Sequence, residues 1–221
     1  MNSSALHSQA TQPEVVFPTR GGLVAVLRAA DARAYAPVVE ELLRGGISTI
    51  ELTLTTPGCL RELPRLKGQF GEAQIGIGTV LHEDDARASI DQGADFLVAP
   101  NLNPRALTVA VEARVPIAPG IFTPTEAQLA RELGASVVKL FPAGTVGPSY
   151  LGHIRGPFPD IAVIPSGGIE LNDIAAWAQA GSVAISLGGS LIGDSLRGGD
   201  LAELRKRIRT ATTALERVVA R

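Results

Sequence analysis

From residue 21 onward, short apolar runs rich in β-branched residues alternate with helical patterns about eight times, and Gly or Pro falls at nearly every junction. The apolar runs cover 23–27, 47–54, 74–79, 95–99, 116–118, 136–141, 161–165 and 183–187. Helical patterns lie between them near 32–44, 57–67, 83–92, 103–113, 123–133, 148–154 and 171–180, with a last one near 200–219. Successive strands joined through a helix run parallel, because the helix carries the chain back to the starting end of the sheet. Such units in a chain of 221 residues predict a single α/β domain, a (β/α)8 TIM barrel over residues 21–221, with a doubly wound open sheet as the alternative. Residues 1–20, polar with scattered Pro and Thr, read as a loosely ordered N-terminal tail.

The sixth run, Val137 to Phe141, carries a lysine at its centre. Period two sets Val137, Lys139 and Phe141 on one face, so the amine points where two apolar neighbours point. A buried lysine is costly unless it is paired or neutral, and the neutral amine is a nucleophile. The second run has the complementary pattern. Ile50, Leu52 and Leu54 share one face and suit a helix layer, which leaves Thr49, Glu51, Thr53 and Thr55 on the face towards the strand interior. Lys139 and Glu51 are therefore expected to face each other, either as a buried ion pair or as an amine nucleophile beside a carboxyl group that moves protons.

Polar residues and glycines gather at the carboxyl ends of the expected strands, the end where parallel barrels place their chemistry. Arg28 follows the first strand, Thr79 the third, Pro100 the fourth, and Pro119-Gly120 the fifth. Thr123, Pro124 and Glu126 read as an N-cap, a first-turn proline and a capping-box acid. The seventh and eighth strands end in Ser166-Gly167-Gly168 and Gly188-Gly189-Ser190, each running into a helix start. Bare amides at a helix start favour an anion, so the pair of loops predicts a phosphate site. No dinucleotide fingerprint or P-loop spacing occurs.

Several function classes fall away on composition. A formal net charge of -2 with mixed signs, and 4% aromatic residues, supply neither the basic stripe nor the stacking platforms of a nucleic-acid partner. No apolar run reaches the length of a membrane span, and residues 1–20 lack the pattern of a signal or transit peptide. A single cysteine, Cys59, fits a reducing cytoplasm. His7, His82 and His153 have no metal-ligand spacing, so no metal is expected.

In the order of these motifs the chain resembles the 2-keto-3-deoxy-6-phosphogluconate / 4-hydroxy-2-oxoglutarate aldolase family of class I aldolases, from about residue 21 to residue 195. Gly45-Gly46 precede the Glu51 strand, Gly76 to Val80 match a Gly-x-Gly-Thr-Val strand end, Lys139 to Ala143 match Lys-x-Phe-Pro-Ala, and Pro165 to Gly168 and Gly188 to Ser190 match the two phosphate loops. The resemblance implies Lys139 as the imine-forming lysine and Glu51 as the proton carrier. It implies a substrate held by Arg28, Thr55, Thr79, Pro100, Phe141 and Ser166, and a phosphate on Gly167, Gly168, Gly188, Gly189 and Ser190. Two positions depart from the family pattern: Thr55 stands where some members carry an arginine, and Ser166 replaces a threonine. The implied reaction is cleavage of a phosphorylated 2-keto acid, 2-keto-3-deoxy-6-phosphogluconate, to pyruvate and glyceraldehyde 3-phosphate, by a cytoplasmic homotrimer without a cofactor. The related alternatives are 4-hydroxy-2-oxoglutarate and the 6-phosphogalactonate derivative. A sugar-phosphate isomerase or epimerase and a non-enzymatic sugar-phosphate-binding barrel are the rivals from other classes.

Overall fold

In a computed structural model of the protein, residues 17–18 and 22–219 are described. The chain runs β1 (Gly22–Leu27), α1 (Tyr35–Arg44), β2 (Thr49–Thr53), α2 (Cys59–Gln69), β3 (Gln74–Gly78), α3 (Glu83–Asp91), β4 (Leu97–Val98) and α4 (Pro104–Glu112). It continues through β5 (Ile117–Ala118), β6 (Gly120–Ile121), α5 (Pro124–Glu132), β7 (Val138–Leu140), α6 (Ser149–Arg155), β8 (Val163–Pro165), α7 (Ile174–Gln179), β9 (Ala184–Leu187), α8 (Gly189–Ile192) and α9 (Leu201–Val219).

A strand forms at each expected apolar run, and β6 is a further short strand just beyond the 116–118 run. Pro119 separates β5 from β6, since proline has no amide hydrogen to give to a ladder. β5 pairs with β4 in a six-stranded sheet ordered β5-β4-β3-β2-β1-β9, whereas β6 pairs with β7 in a three-stranded sheet ordered β6-β7-β8. Every pairing is parallel, and an isolated parallel bridge between Ser166 and Ser186 lies where β8 approaches β9. The fold is thus an α/β architecture in which parallel strands curl into a half-barrel. The helix start expected at Gly188-Gly189-Ser190 is present as α8, only four residues long, whereas Gly167 and Gly168 lie in a bend that leads to a single 3-10 turn at Leu171–Asp173.

Two apolar cores follow from the period of two along the strands. Ile50 and Leu52 of β2, Ile75 and Ile77 of β3, and Ile185 and Leu187 of β9 point outward into the layer shared with the helices. Each such side chain contributes roughly 1.5–3 kcal/mol on full burial. The opposite faces bring Val24, Phe96, Val98, Ala118, Val137, Ile164 and Ala184 together inside the curl. Phe17 joins this inner group, its ring 4.9 Å from that of Phe96, and the Pro18 carbonyl accepts a hydrogen bond of 2.9 Å from the Thr49 hydroxyl. At Phe17 and Pro18 the chain is therefore packed rather than loose; residues 1–16, 19 and 20 of the expected tail lie outside the described residues. Among the described residues no helix is long and apolar enough to cross a membrane.

Candidate active site

The inward faces of β2 and β7 bring Glu51 and Lys139 together. Lys139 Nζ lies 3.7 Å from Glu51 Oε1, with the two side chains 7% and 2% exposed. The amine also stands 5.2 Å from the centroid of the Phe141 ring. Glu51 reaches this position by crossing β3 where β3 has no side chain. A Cβ on Gly78 would stand 1.9 Å from Glu51 Oε1, so the carboxylate occupies the space that glycine leaves. The second carboxylate oxygen, Oε2, is buried and has no hydrogen-bond partner.

Lys139 and Glu51 lie in the wall of a cavity of about 740 Å3 at the carboxyl ends of the strands. Arg28, Thr79, Pro100, Phe141 and Ser166 line it, as do the two glycine loops with Gly167, Gly168, Gly188, Gly189 and Ser190. Thr79 has a positive φ of 62°, which is uncommon for a β-branched residue and turns the chain sharply off β3. The loops are fastened to one another and to the lysine strand. The Ser190 hydroxyl donates to the Ile169 carbonyl at 2.7 Å, and the Gly144 amide donates to the Gly167 carbonyl at 2.8 Å. Close approach here depends on glycine, because a Cβ on Gly144 would stand 2.2 Å from the Gly168 carbonyl oxygen.

Thr55 is the expected substrate residue that the fold does not bring into this wall. It is exposed, and its hydroxyl donates to the Thr53 hydroxyl at 3.1 Å. The cations that do face the cavity are Arg28, Lys139 and Arg197. Arg197 and Ser186 were not singled out by the sequence reading. Ser186 was detectable in principle as the polar residue on the inner face of β9, beside Ala184, but a lone serine in an apolar strand carries no motif. Cys59 lies outside the cavity; burial pushes its thiol up to about 12, against a hydrogen bond with Tyr35 that works to lower it. His82 serves as the N-cap of α3.

An amine and a carboxyl group buried together beneath glycine loops, at the carboxyl ends of parallel strands, define a class of enzyme that works on carbonyl compounds through amine chemistry. The family model for KDPG and KHG aldolases matches residues 18–207. The chain belongs to that family and is an aldolase, a lyase that acts on carbon–carbon bonds. Its relatives include the 2-dehydro-3-deoxy-6-phosphogalactonate aldolase of Escherichia coli K12, 32% identical over 177 residues, which are 79% of this chain and 86% of that protein. The 2-dehydro-3-deoxy-phosphogluconate aldolase of Treponema pallidum is 33% identical over 171 residues, 76% of this chain and 81% of the relative. Among solved structures, the native KDPGal structure superposes with a TM-score of 0.84 at 28% identity, over 90% of this chain and 96% of the other.

Proposed function

We propose that this aldolase cleaves 2-keto-3-deoxy-6-phosphogluconate to pyruvate and glyceraldehyde 3-phosphate through an imine on Lys139. The observation that carries the reading is the buried 3.7 Å pair of Lys139 and Glu51, set in the wall of a cavity that also holds both glycine loops. Lys139 Nζ attacks the C2 ketone. Glu51 supplies and accepts the protons that turn the carbinolamine into an iminium with loss of water. The iminium draws the electrons of the C3–C4 bond as Glu51 takes the C4 hydroxyl proton, and the aldehyde leaves. The enamine is then protonated at C3 and water hydrolyses the imine, returning the Lys139 amine and pyruvate.

The phosphate rests on the amides of Gly167 and Gly168 in the bend after β8 and of Gly188, Gly189 and Ser190 at the start of α8. The keto acid end lies among Arg28, Thr79, Pro100, Phe141 and Ser166. With Thr55 away from the wall, Arg28 is the cation assigned to the substrate carboxylate. Binding at the far end fixes the ketone over the amine, so remote contacts lower the barrier at C2. The 6-phosphogalactonate derivative is the second reading, supported by the likeness to the Escherichia coli enzyme of that name.

The same proposal covers architecture. The two sheets form one ring of eight strands in a single domain, with β5 and β6 as halves of one strand. Support comes from the Ser166–Ser186 bridge and from hydrogen bonds across the split, Gly120 N to Asn101 O at 3.1 Å and Lys139 N to Pro119 O at 2.8 Å. By family likeness the assembly is a homotrimer, and sedimentation equilibrium should return three times the chain mass; a monomer would remove that part of the reading.

The test of the chemistry is borohydride reduction in the presence of pyruvate, followed by peptide mass analysis. A reduced pyruvyl adduct on Lys139 is expected, and its absence would sink the imine. Lys139→Ala should abolish pyruvate release from all three keto acids, and Glu51→Gln should lower turnover by about 100-fold or more with the fold intact. Comparing the phosphogluconate, phosphogalactonate and hydroxyoxoglutarate substrates in the parent then selects among them.

A further inference from the structure

Two buried polar atoms in this site have no partner: Glu51 Oε2 and Ser186 Oγ. They come from different strands, yet both residues line the large cavity, and both line a small inner cavity of about 10 Å3 that Lys139 also borders. Ser186 is 3% exposed. Native folds seldom leave buried hydroxyl and carboxylate oxygens unbonded, and where they do the group serves a ligand or an ordered water. The gap between Lys139 Nζ and Glu51 Oε1, at 3.7 Å, is likewise too long for a direct hydrogen bond and suits a bridging molecule. Space for about one water and three polar groups around it match the usual surroundings of a buried water.

We propose that Ser186 is a positioning residue for the imine chemistry: its hydroxyl and Glu51 Oε2 hold one water beside Lys139, and that water carries protons between Glu51 and the substrate carbon. The inference rests on the imine reading given above. In the ground state the Ser186 hydroxyl donates to the water oxygen and the water donates to the carboxylate. During enamine protonation the Glu51 proton passes to the water, and one of the water's own protons passes to C3. The enamine π electrons form the new C–H bond, the nitrogen becomes iminium, and Glu51 is left as carboxylate. No oxidant or further reactant is needed.

The measurement is exchange of the pyruvate methyl protons in D2O, which requires only pyruvate, in the parent, Ser186→Ala and Ser186→Gly. Each preparation is also trapped with borohydride. Ser186→Ala should reach the same final yield of reduced adduct on Lys139 but exchange about 10-fold more slowly, because the relay and not the imine is impaired. Ser186→Gly should recover part of the rate, since the space left by the side chain admits a second water in place of the hydroxyl. A parent that gives no adduct would remove the imine reading itself. A parent that is trapped, with Ser186→Ala exchanging within about two-fold of it, would overturn the role of Ser186 alone. If Ser186→Ala fails to fold, a high-resolution crystal structure of the parent decides: a water within about 3.2 Å of both Ser186 Oγ and Glu51 Oε2 is expected, and a hydroxyl turned onto a backbone carbonyl contradicts the proposal.

Discussion

A methyl group at position 78 would collide with the Glu51 carboxylate, because Gly78 supplies the space through which that side chain crosses β3. Gly78→Ala keeps the strand's backbone and displaces only what lies above it. Turnover should therefore fall by about 100-fold or more while the far-UV spectrum stays that of the parent, since misplacing a reacting group by an ångström is enough for such a loss. Activity close to the parent's would mean that Glu51 works from another position. At this scale the glycine motif around Gly76 and Gly78 was visible in the sequence, but its purpose was not. A missing side chain has meaning only in relation to the neighbour that uses the space.

Helix α5 shows how local chemistry places an element. The Thr123 hydroxyl accepts from the Glu126 amide at 3.4 Å, and Glu126 Oε2 accepts from the amides of Phe122 and Thr123 at 2.8 Å each, with Pro124 at the first helical position. The capping box anticipated from Thr123, Pro124 and Glu126 is thus formed. Thr123→Ala should cost about 1 kcal/mol in urea unfolding. Burial works to raise the Glu126 carboxyl, but the two amides and the Thr123 hydroxyl outweigh it and hold the group below its ordinary value of 4.5. Its contribution to stability is accordingly present at neutral pH and disappears as pH falls through the lowered native value. Glu126→Gln should flatten the acid limb of the stability curve below about pH 4, and an unchanged limb would show that the carboxylate is not held this way.

At the scale of the molecule, Phe17 packs into the inside of the curl. Phe17 fills the inner core against Val24, Phe96 and Ile164, and it also borders the small cavity shared by Glu51, Lys139 and Ser186. Phe17→Ala should cost about 3 kcal/mol by removing a buried aromatic ring, measured as a lowered urea midpoint. A shift near zero would mean that Phe17 adds little to the inner core. The sequence of residues 1–20 did not suggest this role, because one phenylalanine among polar residues has no period from which burial can be read.

The alternation of strands and helices, the inward faces of β2 and β7, and the helix starts could be read from the sequence because each depends on neighbours within a few residues. Period two put Lys139 and Glu51 on inner faces, and paired glycines marked the two loops. Distance across the curl is a different kind of quantity. It depends on strand tilt and on the widths of the side chains packed between the strands, and no local pattern encodes it. Only the tertiary structure decided that Glu51 reaches Lys139 over Gly78, that Thr55 turns away from the cavity although it shares a period-two face with Glu51, and that Ser186 and Phe17 meet the same buried pair. Thr55 lies two residues beyond the end of β2, where the strand's alternation no longer controls direction. That short departure from the ladder keeps Thr55 out of the cavity wall, which Arg28 does line.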